Sequence, residues 1–199
     1  MMTMENKKSN EELYYNARDL ALILNGFALD CQSEAEIMEN VWKKERGYLR
    51  EPYRADKRRL YLDMLYWESY YYHKEALDSE LREIQRDCHD SGGSLREEDY
   101  KSDFADVDLF FKTLRLRLLY GPGGNYVRLK RRTLLSQLDA QRLRPQVAKR
   151  IQLCLRFYRI GMFARGGSPC QLEETKPDDL IVLRIAASKP GPQKIKPKR

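Results

Sequence analysis

The chain has 199 residues, of which 42% are hydrophobic and 34% charged, and its formal net charge is +7. This composition is typical of a soluble globular protein with a strongly charged surface, and the length permits one large or two small domains. No apolar run is long enough for a membrane span, and the polar N-terminus lacks the apolar core of a secretory signal. We therefore expect a cytoplasmic protein with no membrane partner, whose four widely spaced cysteines are reduced thiols.

Two helices are predicted near the N-terminus. Acidic residues in the first turn and apolar residues at helical spacing predict the first helix from Glu11 to Gly26. The sequence Ser33-Glu34-Ala35-Glu36 is typical of a capping box and predicts the start of the second. Ile37 and Val41 follow on one side of that helix, so it has an apolar face that another element must cover.

A third, longer helix is predicted from about Arg54 to about Cys88. Its apolar face is wider than a coiled-coil seam, and residues 61–72 are rich in aromatic side chains. The simpler interpretation is that this face packs on the first two helices. One alternative is an interface with a second copy of the chain or another protein, since aromatic residues are enriched in interfaces. A less favoured alternative is a stacking platform for single-stranded nucleic acid, since the nearby basic residues precede the aromatic ones instead of alternating with them. The candidate interface residues are Trp67, Tyr70, Tyr71 and Leu77.

The composition divides the chain into two folded parts and a tail. Residues 91–103 are polar with two central glycines, which predicts a linker between a helical domain, residues 1–90, and a second domain, residues 104–187. Residues 188–199 hold five basic residues, three prolines and no acid, which predicts a disordered basic tail. The tail either adds phosphate contacts or keeps the protein soluble.

The second domain has a characteristic order of predicted elements. They are a helix over residues 104–120, a strand over 126–129, a short helix over 133–138, a helix over 145–159, and strands over 160–165 and 180–187. This order resembles the winged-helix DNA-binding domain. The resemblance implies that residues 104–187 form a winged helix-turn-helix domain with a small antiparallel sheet. Together with the three helices predicted before residue 90, this predicts a mainly α-helical protein with an N-terminal three-helix domain and a C-terminal winged helix-turn-helix domain.

Positive charge is concentrated within this second domain. Residues 121–165 hold eleven basic side chains and one acid, Asp139, a net charge of +10 that leaves −3 for the rest of the chain. Such a concentration is typical of a nucleic-acid-binding surface. Double-stranded DNA is therefore the expected partner.

The resemblance also implies which residues would contact DNA. In winged-helix domains the second helix of the helix-turn-helix pair enters the major groove, and the hairpin loop touches the backbone or the minor groove. With Val147, Ile151, Cys154 and Tyr158 facing inward, the residues in position to read bases are Lys149, Gln152, Arg156 and Arg159. The candidate phosphate contacts are Arg128, Lys130, Arg131, Arg132, Arg142 and Arg144, with Arg165 at the start of the wing.

No catalytic or cofactor signature competes with this interpretation. The chain contains no phosphate-binding loop, no nucleophile elbow and no zinc-ligand spacing, so we expect no metal, no cofactor and no catalytic residue. The predicted function is DNA binding without covalent chemistry, by a transcriptional regulator or an accessory, nucleoid-associated factor. The alternative is a protein or RNA interaction module with a basic face, and scattered carboxylates leave a nuclease open.

Overall fold

The computed structural model describes residues 11–26, 31–72, 104–121, 125–138, 140 and 142–186. These residues form a mainly α-helical fold with one small three-stranded antiparallel sheet, which confirms that part of the predicted fold class. The predicted linker at residues 91–103, the predicted tail at 188–199 and the second half of the predicted third helix lie outside the described residues.

The described residues contain six α-helices and three strands. In chain order they are α1 (Ala17–Gly26), α2 (Cys31–Lys44), α3 (Lys57–Tyr72), α4 (Ala105–Tyr120), β1 (Tyr126–Lys130), α5 (Arg131–Gln137), α6 (Pro145–Phe157), β2 (Ile160–Ala164) and β3 (Leu180–Ile185). Two 3-10 turns, Arg46–Tyr48 and Leu172–Glu174, follow α2 and β2. From α4 onward, the elements have the predicted order and nearly the predicted bounds.

Helix α1 begins six residues later than predicted, because the cap is Asn16. The Asn16 side-chain oxygen accepts a hydrogen bond from the Asp19 backbone N–H over 2.8 Å, which satisfies an amide at the start of the helix. Before this cap, residues 12–14 form a turn and a bend, and Tyr15 then forms a β-bridge with Leu49. The Tyr15 backbone donates to the Tyr48 carbonyl and accepts from the Arg50 N–H, each over 2.8 Å, so this segment pairs with the chain around Leu49.

The sheet has the strand order β1-β3-β2, and both pairs are antiparallel. Side chains alternate between the two faces of a strand. Leu129 of β1, Ile181 and Leu183 of β3, and Ile160 and Met162 of β2 are buried, so they define the inner face. Helix α6 contacts β2 and helix α4 contacts β3, so both helices lie on this inner side.

One hydrophobic core extends from the N-terminal helices to the sheet, from Leu13 to Leu183. Two buried ion pairs cross between the halves: Lys112 of α4 with Asp19 of α1, and Arg115 of α4 with Glu45 at the end of α2. The two halves therefore pack directly on each other through α4. The division into two domains at residues 91–103 stays a prediction.

Candidate nucleic-acid interface

Helix α6 presents an exposed basic row on the side away from the core. Pro145 occupies the first turn, where its missing N–H costs nothing, and the helix contains no acidic residue. Ala148, Ile151 and Cys154 are buried, and Lys149 and Arg156 are exposed on the other side. These two cations are seven residues apart, so they lie roughly 10 Å from each other along one helix face.

Arg150 does not belong to this exposed row, although it is one of the eleven basic residues of the segment 121–165. It is only 5% exposed, and its Nε donates to Oδ1 of Asp108 in α4 over 2.7 Å. Its Nη2 also donates to Asp108 Oδ2 and lies 3.4 Å from a carboxylate oxygen of Glu12. Arg150 therefore anchors α6 to α4, and its charge is neutralised inside the protein.

The sequence predicted that Arg159 lies on α6. This is wrong, because the helix ends at Phe157. The Arg159 backbone has φ of 53°, in the left-handed region that breaks a helix. This turn lets Ile160 begin β2, and the Arg159 carbonyl accepts a hydrogen bond from the Ala186 N–H over 2.8 Å. The Arg159 side chain is half-buried.

Three of the four predicted base-reading residues nevertheless line one cavity. Gln152, Arg156 and Arg159 border a space of about 610 Å³ between α6, β2 and the Leu172–Glu174 turn. The side-chain amide of Gln152 donates to Glu173 Oε1 over 2.6 Å. A carboxylate from the loop between β2 and β3 thus occupies the hydrogen-bonding edge of one predicted reading residue.

The basic residues at the start of α5 contact the loop before β3. Lys130 and Arg132 both approach Asp178 Oδ1, at 3.5 and 3.0 Å, in exposed ion pairs. The half-buried Arg131 side chain donates to the Thr175 carbonyl. The first two amides of the helix are also occupied, since the Arg131 and Arg132 N–H groups donate to the carbonyls of Asp179 and Pro177. Asp178 therefore offsets part of the positive charge here.

Arg142 and Arg144 are exposed in the turn that leads into α6. Arg142 shares a cavity of about 550 Å³ with Arg131 and Arg132, next to Pro177. The predicted phosphate contacts around the two helices are thus grouped between the α5–α6 turn and the start of α5.

Arg128 and Arg165 lie elsewhere, on the face of the sheet opposite α6. Because Leu129 points inward, its neighbour Arg128 points outward. Arg165 follows β2. Arg128 and Arg165 border one groove on this outer face, together with Arg184 of β3. Arg184 was not among the residues predicted from the sequence. The sequence of β3, LIVLRI, could have indicated that Arg184 faces solvent, because Arg184 is the one charged residue of that strand.

Trp67, a predicted interface residue, is 8% exposed and belongs to the hydrophobic core. The guanidinium of Arg18 in α1 lies 5.5 Å from the centre of its ring. Its indole is therefore covered within the chain, in agreement with the simpler interpretation of the α3 face. Tyr70 and Tyr71 lie in α3, and Leu77 lies outside the described residues.

No family model, curated protein or solved structure matched this chain. Within the described ranges, no three histidine, cysteine or acidic side chains are grouped as ligands for a metal ion. None of the described helices is long and apolar enough to cross a membrane. Only the geometry and charge of the surface therefore bear on function.

Proposed function

We propose that this protein binds duplex DNA without covalent chemistry, and that residues 104–187 act as a winged helix-turn-helix domain with α6 as the groove-reading helix. The observation that carries the proposal is the exposed row of Lys149 and Arg156 on the acid-free helix α6. The exposed Arg142 and Arg144 precede that helix directly. Arginine and lysine at this spacing suit guanine edges in the major groove and the phosphates on either side of it.

The fold supports this arrangement in two further ways. Arg150 and Cys154, on the inner side of α6, both contact Asp108 of α4, so the helix is held firmly while its outer row stays accessible. The antiparallel pair β2–β3 follows α6 and is joined by the loop that contains Glu173. In the resembled domains that loop is the wing.

Glu173 limits how α6 can contact DNA. A carboxylate beside Gln152 repels phosphates and occupies an amide that would otherwise recognise adenine. We therefore assign base contacts first to Lys149 and Arg156, and expect Gln152 to take part only when the loop moves away.

The test is to replace both Lys149 and Arg156 with alanine and measure duplex binding at two salt concentrations. We expect the affinity to fall by about 10- to 100-fold and the salt dependence to become shallower, because two cation contacts are lost. The matched control is Lys43→Ala/Lys44→Ala, which removes two exposed positive charges from the last turn of α2. A folded α6 variant with unchanged affinity and salt slope would refute the proposal.

Competition distinguishes duplex DNA from the alternative partners. A duplex reader keeps its preference for duplex DNA over structured RNA and heparin at moderate salt, because shape and base contacts remain when phosphate contacts weaken. Equal competition by all three would favour the alternative of a general basic interaction surface.

The N-terminal helices are proposed to support the binding domain and to carry any contact with a second copy or a protein partner. Since Trp67 is buried in the core, this contact would have to use other residues of α3 or its continuation. Sedimentation at micromolar concentration tests the homodimer, and a monomer there would contradict it.

A further inference from the structure

The outer face of the sheet combines aromatic rings with arginines. Tyr126 and Arg128 of β1 point outward, and Tyr126 is 45% exposed. Arg184 of β3 is directly opposite Tyr126, and Gly161 of β2 is opposite Arg184 on the other side. Phe163 of β2 lies two residues from Gly161 and therefore on the same face.

The rings and guanidinium groups of this face are already in contact. The Arg184 guanidinium carbon is 4.0 Å from the centre of the Phe163 ring, and that of Arg128 is 4.8 Å from the centre of the Tyr126 ring. A Cβ atom on Gly161 would come within 2.7 Å of the Phe163 ring, so the glycine lets this ring lie low over the strand. The surface therefore consists of flat groups held against the sheet.

The arginines of this face have no acidic partner among the residues that the structure describes. Tyr126, Arg128, Phe163, Arg165 and Arg184 border a groove of about 240 Å³, and no acidic side chain lines it. Within the part of the chain that the structure describes, none of the three arginines has a carboxylate oxygen within 4.0 Å. An anionic ligand would thus meet three available cations beside the exposed ring of Tyr126.

We propose that this outer face binds an unpaired DNA strand. Phosphates would pair with Arg128, Arg165 and Arg184, and bases would stack on the Tyr126 ring and on the guanidinium planes. An acidic peptide would use the charges but would leave the exposed ring of Tyr126 without a role. The choice of DNA as the nucleic acid rests on the proposed duplex contact at α6, which lies on the other side of the sheet.

The proposal predicts that variants of the two faces affect different ligands. The probe is fluorescent oligothymidylate of about 20 nucleotides, compared with a duplex of the same length. We expect Tyr126→Leu and Arg184→Gln each to weaken oligothymidylate binding by about 5- to 50-fold and to change duplex binding by less than about 2-fold. Tyr126→Phe is the matched control, because it keeps the ring and should retain binding of the single strand.

The same measurement separates this proposal from the one for α6. Lys149→Ala/Arg156→Ala should weaken duplex binding and leave oligothymidylate binding within about 2-fold of the original value. Both outer-face positions are exposed, and thermal unfolding of each variant establishes that it is folded. Unchanged oligothymidylate binding by Tyr126→Leu and Arg184→Gln would overturn the proposal. So would tighter binding of oligouridylate, or equal competition by polyglutamate.

Discussion

Arg115 donates two hydrogen bonds to Glu45 Oε2, from Nε over 2.9 Å and from Nη2 over 2.7 Å, and both side chains are buried. The same guanidinium donates to the carbonyl of Tyr158, just after α6, and lies 4.3 Å from the centre of the Tyr48 ring. One side chain of α4 thus connects the end of α2 with the end of the proposed groove-reading helix. Burial also raises the pKa of the Tyr158 hydroxyl, so this hydroxyl stays protonated.

Replacing Arg115 with methionine should destabilise the protein by about 3–5 kcal/mol, because the Glu45 carboxylate would be left buried without its partner. The double variant Arg115→Met/Glu45→Leu should recover part of that loss, since no charge remains unpaired. Urea unfolding of the single and double variants measures both effects. Lys43→Met is the control, because Lys43 pairs with Glu39 at the surface, where an ion pair contributes about 0–1 kcal/mol. A double variant no more stable than Arg115→Met would contradict this account.

Replacing Arg159 with glycine should give a protein more stable than Arg159→Ala by about 0.5–1 kcal/mol. Both variants lose the same side chain, but only glycine adopts φ of 53° without a steric cost. The order should reverse at Lys149 in the interior of α6, where glycine should be less stable than alanine by about 1 kcal/mol. Thermal or urea unfolding of the four variants gives the stability difference between glycine and alanine at each position. A difference of the same sign at both positions would be inconsistent with a left-handed backbone at Arg159.

Replacing Asp178 with asparagine should strengthen duplex binding, if α5 takes part in the proposed contact. The change releases Lys130 and Arg132 from an exposed carboxylate that now lies within 3.5 Å of both. We expect an affinity gain of about 2- to 10-fold and a steeper salt dependence, by up to about two phosphate equivalents. Glu36→Gln provides the control, because it removes the same charge from an exposed position of α2. An equal gain in both variants would mean that only net charge matters.

Replacing Lys57 with methionine should raise the pKa of Glu39. Hydrogen bonds from Lys57 and Lys43 lower the pKa of this carboxyl from 4.5 to about 2. A carboxylate with a lowered pKa stabilises the folded state above its unfolded pKa, and the effect is lost as the pH falls toward about 2. Carboxyl NMR titration gives the value directly. Lys44→Met is the control. It removes one positive charge next to Lys43 in the last turn of α2, but Lys44 does not lower the pKa of Glu39, so that pKa should stay low.

The sequence predicted the elements of the C-terminal part well, because their apolar periodicities are strong and glycine and proline separate them. It also placed Lys149 and Arg156 on the outer side of α6. The same periodicity places Arg150 three residues after Val147, on the inner side, but its partner Asp108 is 42 residues away, and local patterns cannot identify such a pair. The predicted start of α1 was wrong. Ser9, Asn10 and Asn16 are all good caps by residue type, and the local sequence does not reveal that Tyr15 pairs with Leu49, directly before the helix.

The position of the outer arginines could not be read from charge alone. Their direction depends on which face of the sheet is covered, and that is decided by the pairing of β1 with β3 across more than fifty residues. Asp178 likewise approaches Lys130 only because the loop before β3 returns to the start of α5.

Helix α4 has a practical consequence for any experiment on residues 104–187 alone. Lys112 and Arg115 are completed by Asp19 and Glu45, and the Tyr158 hydroxyl donates to the carbonyl of Leu13. A fragment that begins near residue 104 would leave Lys112 and Arg115 without their carboxylate partners and would expose the apolar side of α4. We expect such a fragment to aggregate. Tests of the proposed DNA binding should therefore keep the N-terminal helices attached.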